Sequence, residues 1–307
     1  MMTEQKLRIL CVGMPVRDLT FRVDAVPARG SKIRTDDYTE LSGGNAPNAA
    51  IGIARLGGEV RLSGPMGDAE EHGAEFIYKR MASEGIDTTH LVRVSGATTP
   101  VSAVISDSGG ERTIVTYRDP KLWKVELPRA DTLLDGCAAL LTENRCAEFV
   151  TDLCLAAKQR GLPVVLDADQ VMALREGLLT ASTHIVFSEE ALRATAGIDD
   201  LEAALRRIAE LTPAFVAVTR GQQGVIWLDN SGEAQSMPSF PVHVVDTLGA
   251  GDIFHGAFTL ATAEGQGIRD AMRFATAAAA LKCTKPGGPL AAPSRAEVVD
   301  FLAKDRR

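Results

Sequence analysis

One run late in the chain joins two carboxylates to a turn of small residues: Asp246-Thr247-Leu248-Gly249-Ala250-Gly251-Asp252-Ile253-Phe254. A β-branched pair, Val244-Val245, leads into it, and a helical pattern follows. Glycines at 249 and 251 let the backbone approach a ligand closely. The unpaired N–H groups of the first helical turn, aided by the helix dipole, then attract an anion. Asp252 falls in that first turn, beside whatever anion binds. The chemistry on offer is handling of a phosphate-like group with a carboxylate at hand. Read in isolation, the same residues also suit a tight turn and a favourable first-turn carboxylate. A helix start lowers a carboxyl pKa, so Asp252 is expected to be ionised at neutral pH and only weakly basic.

The elements that must carry this turn follow from periodicity. Short apolar runs at residues 9–13, 60–63, 138–142, 163–167, 183–188 and 215–219 read as strands. Helical patterns at 44–56, 71–84, 149–160 and 201–211 stand between them, and 250–264, 268–282 and 294–304 make the last third helical. Repeated β-then-α units predict a parallel sheet covered on both faces. Residues 20–41 and 98–117 break the rhythm with alternating Val, Thr and Arg, and read as antiparallel strands of a small β-flap. Ser108-Gly109-Gly110-Glu111 is the expected hairpin turn.

Composition bounds the function. A chain of 307 residues with 45% hydrophobic and 24% charged residues is globular, as two units or one large α/β domain. At that length it needs neither disulfides nor a structural metal. With 33 Lys and Arg against 40 Asp and Glu, the net charge of −7 argues against a nucleic-acid partner, and any anionic ligand must be held by local donors. The cysteines, Cys11, Cys137, Cys146, Cys154 and Cys283, are odd in number and lack a CxxC pair, which reads as reduced buried thiols in a cytoplasmic protein. The first apolar run is too short for a signal peptide, and no stretch is long enough to predict a membrane span. The five histidines show no metal-ligand spacing.

The strand at 138–142 ends in Glu143-Asn144-Arg145, at the carboxyl edge where open α/β sheets place ligands. A guanidinium there suits a planar anion. The alternative is Arg145 paired with Glu143 or Glu148 on a solvated helix start.

Residues 246–258 resemble the second signature of the ribokinase-like (PfkB) carbohydrate kinases, DTxGAGDxFxGAF. The first signature is matched by Gly43-Gly44-Asn45-Ala46-Pro47-Asn48-Ala49-Ala50, closing with Ala54-Arg55-Leu56-Gly57. Val218-Thr219-Arg220-Gly221-Gln222-Gln223-Gly224 is similar to the family's VTxGxxG, and Pro286-Gly287-Gly288 with Pro293 matches its C-terminal run. The resemblance implies an α/β, ribokinase-like three-layer sandwich with a mainly parallel central sheet. It implies one kinase domain over residues 1–307, with a small β-lid from about 19–41 and 98–120. The implied activity is ATP-dependent phosphorylation of a sugar hydroxyl with Mg²⁺. No Walker-type GxxxxGK[ST] is present.

Residue by residue, the resemblance makes Asp252 the catalytic base, with Gly249, Ala250 and Gly251 donating N–H groups to the transferring phosphoryl. Asp18, placed at the end of the first strand, and Gly43, Gly44, Asn45 and Asn48 would bind sugar, with Arg145 as a further contact. Thr219, Gly221, Gly224 and Gly287 would bind nucleotide. Asp246, with carbonyls of Leu248, Lys282, Lys285 and Gly287, matches a monovalent-cation site suited to K⁺. The family's metal-organising NxxE is replaced by Ser188-Glu189-Glu190-Ala191, leaving Glu190 or Glu189 as a substitute metal-side carboxylate, or both as first-turn carboxylates behind a Ser188 cap. Residues 111–117 and 280–288 look most like fructose-type and sulfofructose kinases, which points to an anionic ketose such as sulfofructose or a sugar phosphate. Lys32 and Arg34 would add charge, whereas Thr116 stands where sulfofructose kinases place Asn. A nucleoside kinase and a catalytically silent sugar or nucleotide sensor stand as alternatives on the same scaffold. Lid strands with an apolar face (Val101, Ala103, Ile105, Ile114, Val115) would favour a homodimer.

Overall fold

The computed structural model describes residues 6–68, 71–107, 112–175 and 177–305. The expected turn at 108–111 lies outside the described residues. The chain runs through strands β1 (Arg8–Val12), β2 (Val16–Val23), β3 (Asp37–Gly43), β4 (Glu59–Met66), β5 (Asp87–Arg93), β6 (Val101–Asp107) and β7 (Arg112–Tyr117). It continues through β8 (Cys137–Glu143), β9 (Val164–Ala168), β10 (His184–Ser188), β11 (Phe215–Thr219), β12 (Val225–Leu228) and β13 (Ala234–Met237). Nine of these form one sheet in the order β13-β12-β11-β10-β9-β8-β1-β4-β5. It is parallel from β5 to β11, and β12 and β13 add antiparallel at the edge.

The core strands are apolar on both sides because helices cover both. Along β1, Ile9 and Cys11 face one layer and Leu10 and Val12 the other. Helices Asn45–Arg55, His72–Ser83, Ala250–Ala263 and Ile268–Lys282 pack on the first face. Helices Ala147–Gln159, Glu189–Ala196 and Leu201–Ala209 pack on the second. Ser188 caps the helix after β10 through Ala191 N–H, and Ser294 and Glu297 form a capping box before Arg295–Lys304. All five cysteines are buried and outside any disulfide, Cys11 in the first layer and Cys137, Cys146 and Cys154 in the second.

From β1 the large sheet grows outward to β4 and β5, then restarts at β8 on β1's other side and runs on to β13. That reversal leaves a crevice at the carboxyl ends of β1 and β8. Over it sits a second sheet of order β3-β2-β6-β7, formed by the two Val- and Thr-rich stretches. Its central pair, β2 and β6, is parallel, while both outer pairs are antiparallel. Asp18 is therefore not at the end of the first strand: β1 stops at Val12, and Asp18 lies within β2, opposite Leu41 and Ser102.

The expected apolar flap face divides in two. Val101, Ala103 and Ile105 share a face with Val115, whereas Ile114 pairs with Val104 and shares the other with Ser102 and Thr116. Strands β5, β12 and β13 were not foreseen. At β12 the four residues Val225–Leu228 are all buried, but their run is too short to stand out from the glycine-rich turn before it.

Phe187 is among the largest fully buried side chains and lies in β10 at the middle of the sheet. Phe187→Ala is expected to cost about 3–5 kcal/mol of stability, read as a lower midpoint at unchanged slope in urea unfolding.

Candidate active site

Two helices meet closely at the crevice, each with a glycine at the contact. A Cβ on Gly256 would stand 2.6 Å from the Ala49 carbonyl oxygen, and one on Gly52 would stand 2.9 Å from Ile253 Cδ1. That close crossing brings the start of helix Asn45–Arg55 against the start of helix Ala250–Ala263. Asn48 Nδ2 donates to Asp252 Oδ2 at 2.7 Å, and Asn45 Nδ2 donates to Asp167 Oδ2 at 3.0 Å. Gly44, at φ +95°, turns the chain into the first helix, where a Cβ would meet Met14 O at 2.4 Å. The neighbouring Gly43 leaves room for Asp18, since a Cβ there would overlap its carboxylate.

Asp252 does not behave as its helix position suggested. Burial and the nearby Asp167 carboxylate push its pKa well above the ordinary value, against the opposing pull of Asn48 and His255. Asp167 is likewise raised, by burial and by Asp169. His255 lies between them: its Nδ1 is 2.7 Å from Gly251 O, and its Nε2 is 3.4 Å from Asp167 Oδ1. Burial holds the imidazole below its usual pKa. Nε2 is also 3.2 Å from Val186 O, its hydrogen-bond partner. Asp252 is thus a stronger base than a solvated carboxylate. Asn48 Oδ1 is buried with no hydrogen-bond partner among the described residues and remains a spare acceptor.

The turn before Asp252 is arranged for an anion. Gly249, at φ +79°, caps the helix, and a Cβ there would meet Pro289 Cγ at 2.9 Å. Ala250 N–H turns back to Thr247 O at 3.2 Å, so the expected donor set shifts: among the described residues the N–H groups of Gly249, Gly251 and Asp252 have no backbone acceptor. The turn opens onto a cavity of about 540 Å³ lined by Ala250, Gly251, Thr219, Gly221, Gly224, Phe240, Val242 and Ala279. Its apolar walls suit a flat heterocycle, and the anion turn lies at its end. Gly287, at φ +115°, starts the short 3₁₀ turn Gly288–Ala291 and does not line this cavity.

Behind the turn, Asp246 accepts from Leu248 N–H and Gly288 N–H, each at 2.8 Å. Burial acts to raise its pKa, but those donors and Lys282 outweigh it and hold the carboxyl below the ordinary range. Glu189 pairs with Arg193 at 2.8 Å and Glu190 is exposed, the arrangement of first-turn carboxylates rather than of metal ligands. Among the described residues no cluster of three His, Cys, Asp or Glu side chains could hold a metal ion.

Of the residues expected on the sugar side, Asp18 lies in the second sheet, across from Ser102 in β6. Burial pushes Asp18 up to about 6, with Ser102 and Arg118 pulling against it. Ser102 and Thr116 hydroxyls lie 3.1 Å apart on the same face. Glu143 is buried, accepts from Met14 N–H at 3.0 Å, and is pushed up to about 7 by burial, with Asp169 adding to that. Arg145 is paired with neither Glu143 nor Glu148. Its guanidinium forks onto Asp169, with Nε 3.2 Å from Oδ1 and Nη2 on Oδ2. Arg118, which follows β7, is half-buried beside Arg145; burial and that like charge lower its pKa, and among the described residues no hydrogen bond or ion pair takes up its guanidinium. Lys32 and Arg34 are exposed, the latter paired with Asp36 at 3.2 Å.

Sequence reasoning missed Asp167, Asp169, His255, Glu143 and Arg118. Signals for some were present: Asp167-Ala168-Asp169 closes an apolar run, and His255 stands one helical turn after Asp252.

A sheet switch point, a glycine turn with open N–H groups beside a buried carboxylate, and an adjoining apolar cavity together fit a small-molecule phosphotransferase. Residues 6–295 match the sequence model of the pfkB family carbohydrate kinases, and the chain belongs to that family. Its reaction class is therefore phosphoryl transfer to a sugar hydroxyl. It is 28% identical over 300 residues to the ribokinase of Bacillus subtilis, covering 97% of this chain and 100% of that one. Fructokinase-1 of Zea mays is 29% identical over 311 residues, covering 92% and 95%. A crystal structure of a provisionally assigned ribokinase from Agrobacterium tumefaciens superposes with a TM-score of 0.92 at 35% identity, covering 98% and 100%. Arabidopsis thaliana ribokinase, solved with ribose and ATP, shares the fold at a TM-score of 0.87 and 23% identity, covering 98% and 100%.

Asp252→Asn is expected to lower kcat by at least about a hundredfold with circular dichroism unchanged. An Asp252 that acts as base must be ionised, so wild-type kcat/KM is expected to fall with decreasing pH along a limb lying above the ordinary carboxylate range. Asn48→Ala removes a bond that favours the charged form and should move that limb to still higher pH. A pH-rate profile of both proteins checks the sign.

Proposed function

We propose that this chain uses ATP to phosphorylate a hydroxyl of an anionic sugar, with ketose phosphates and sulfonates as the first candidates. The observation that carries the anionic reading is Arg118, a half-buried guanidinium that feels the Glu143 and Asp169 carboxylates but makes no hydrogen bond or ion pair among the described residues, beside an Arg145 already neutralised by Asp169. A protein of net charge −7 that holds two guanidinium groups at one edge of its crevice has a place for a substrate anion.

In this reading the second sheet acts as a lid. Asp18 holds sugar hydroxyls under it, and Asn48 Oδ1 accepts from the reacting hydroxyl. Asp252 orients that hydroxyl and takes its proton late, as the oxygen bonds to the γ-phosphorus and the bond to ADP breaks. The N–H groups of Gly249, Gly251 and Asp252 stabilise the transferring phosphoryl. The side chains fit a Mg²⁺ carried on the ATP phosphates rather than in a protein cage, and there it would neutralise charge.

Coupled assays of fructose, its 6-phosphate and its 6-sulfonate test the proposal. The wild type should prefer an anionic sugar. Arg118→Ala should cost that substrate about 2 kcal/mol or more in kcat/KM and the neutral sugar little. Equal losses, or a wild type that prefers fructose or a nucleoside, would overturn the anionic reading. Binding of sugar and ATP without ADP release would establish the sensor instead.

The outer face of the lid sheet carries Val115 and Tyr117, 69% and 50% exposed, in line with Val101 and Ala103, and suits a second copy of this chain. Val115→Arg is expected to convert a dimer to a monomer in sedimentation; a monomeric wild type would refute the pairing.

A further inference from the structure

Lys282 closes the helix Ile268–Lys282, and its side chain is fully buried. A buried ammonium needs a structural reason, because desolvation penalises it heavily. Its Nζ donates to the Asp246 backbone oxygen at 2.8 Å and lies 3.5 Å from Asp246 Oδ2. Asp246 in turn receives the Leu248 and Gly288 N–H groups, and the N–H groups of Val245 and Asp246 both donate to Cys283 O. The ammonium therefore stands directly behind the turn that offers its N–H groups to an anion.

This is where a free K⁺ was expected, on Asp246 and neighbouring carbonyls. The residues do not fit that ion. The Asp246 carbonyl and carboxylate are already engaged by a positive charge, and a second cation beside a buried ammonium would be repelled in a medium of low dielectric. We propose that Lys282 is the cation of this site, supplied by the chain itself, so that the anion turn is held in its phosphate-binding form without K⁺. The proposal rests on the ATP-kinase reading in that the turn is taken to bind phosphate. Lys282 is a positioning residue: it touches Asp246, not substrate.

The test compares K⁺ with tetramethylammonium, which is too large to enter, at equal ionic strength. Wild-type melting temperature, ATP affinity by calorimetry and kcat should be the same in both. Lys282→Met should weaken ATP binding and lower kcat by at least about tenfold in tetramethylammonium, and K⁺ or NH₄⁺ should restore much of the loss. A wild type that is stabilised or activated several-fold by K⁺ would overturn the proposal, as would a variant with unchanged ATP affinity. A loss that no monovalent cation restores would assign Lys282 to packing alone and overturn it equally. The wild-type melting comparison needs no variant and no ATP, so it decides the matter even where Lys282→Met fails to fold. A wild type that binds no ATP would instead count against the kinase reading.

Discussion

The site depends on the contact between two helices at Gly52 and Gly256. A side chain at Gly256 would collide with the opposite helix's backbone, and one at Gly52 would displace the Ile253 side chain. Only at that separation can Asn48 reach Asp252, and Asn45 reach past it to Asp167 at the sheet edge. The same crossing buries Asp252 next to Asp167, so the helix packing and the basicity of the site have one origin. Larger residues at the crossing would separate the helices by more than a hydrogen bond tolerates.

Much of this was legible in the residues themselves. The anion turn and the glycine-led start of the first helix are local: their function follows from a few neighbouring residues and a change of backbone direction. The parallel core was legible because strands buried on both faces leave continuous apolar runs. What escaped notice joins distant parts of the chain. Asn48 and Asp252 are 204 positions apart, and Asn45 and Asp167 are 122 apart. The expectation for Asp252 failed for the same reason: its own helix start lowers the pKa, but burial and a carboxylate from β9 raise it more. Arg145 likewise found its partner just past the end of β9, at Asp169, not within its own helix.

Charge in the crevice is distributed unevenly. Asp18, Glu143, Asp167 and Asp252 are all less acidic than solvated carboxylates, chiefly through burial. Two guanidinium groups stand among them, and one ammonium stands behind the turn. Arg145 and Lys282 each sit against carboxylate or backbone oxygens, whereas the Arg118 guanidinium makes no hydrogen bond or ion pair among the described residues. The crevice holds its charges in fixed places and leaves little for solvent to reorganise.

The buried thiols give the molecule a set of internal gauges. Burial drives the Cys154 pKa up to about 12 and raises that of Cys11 further, so neither is a nucleophile in the folded chain. Cys11 lies under one helical layer and Cys154 under the other, while Cys283 borders the apolar cavity. A thiol reagent can therefore reach each only when its own part of the structure opens, so the order of labelling traces how the two layers loosen. The rate at Cys283 relative to the others measures how far a bound heterocycle clamps that wall.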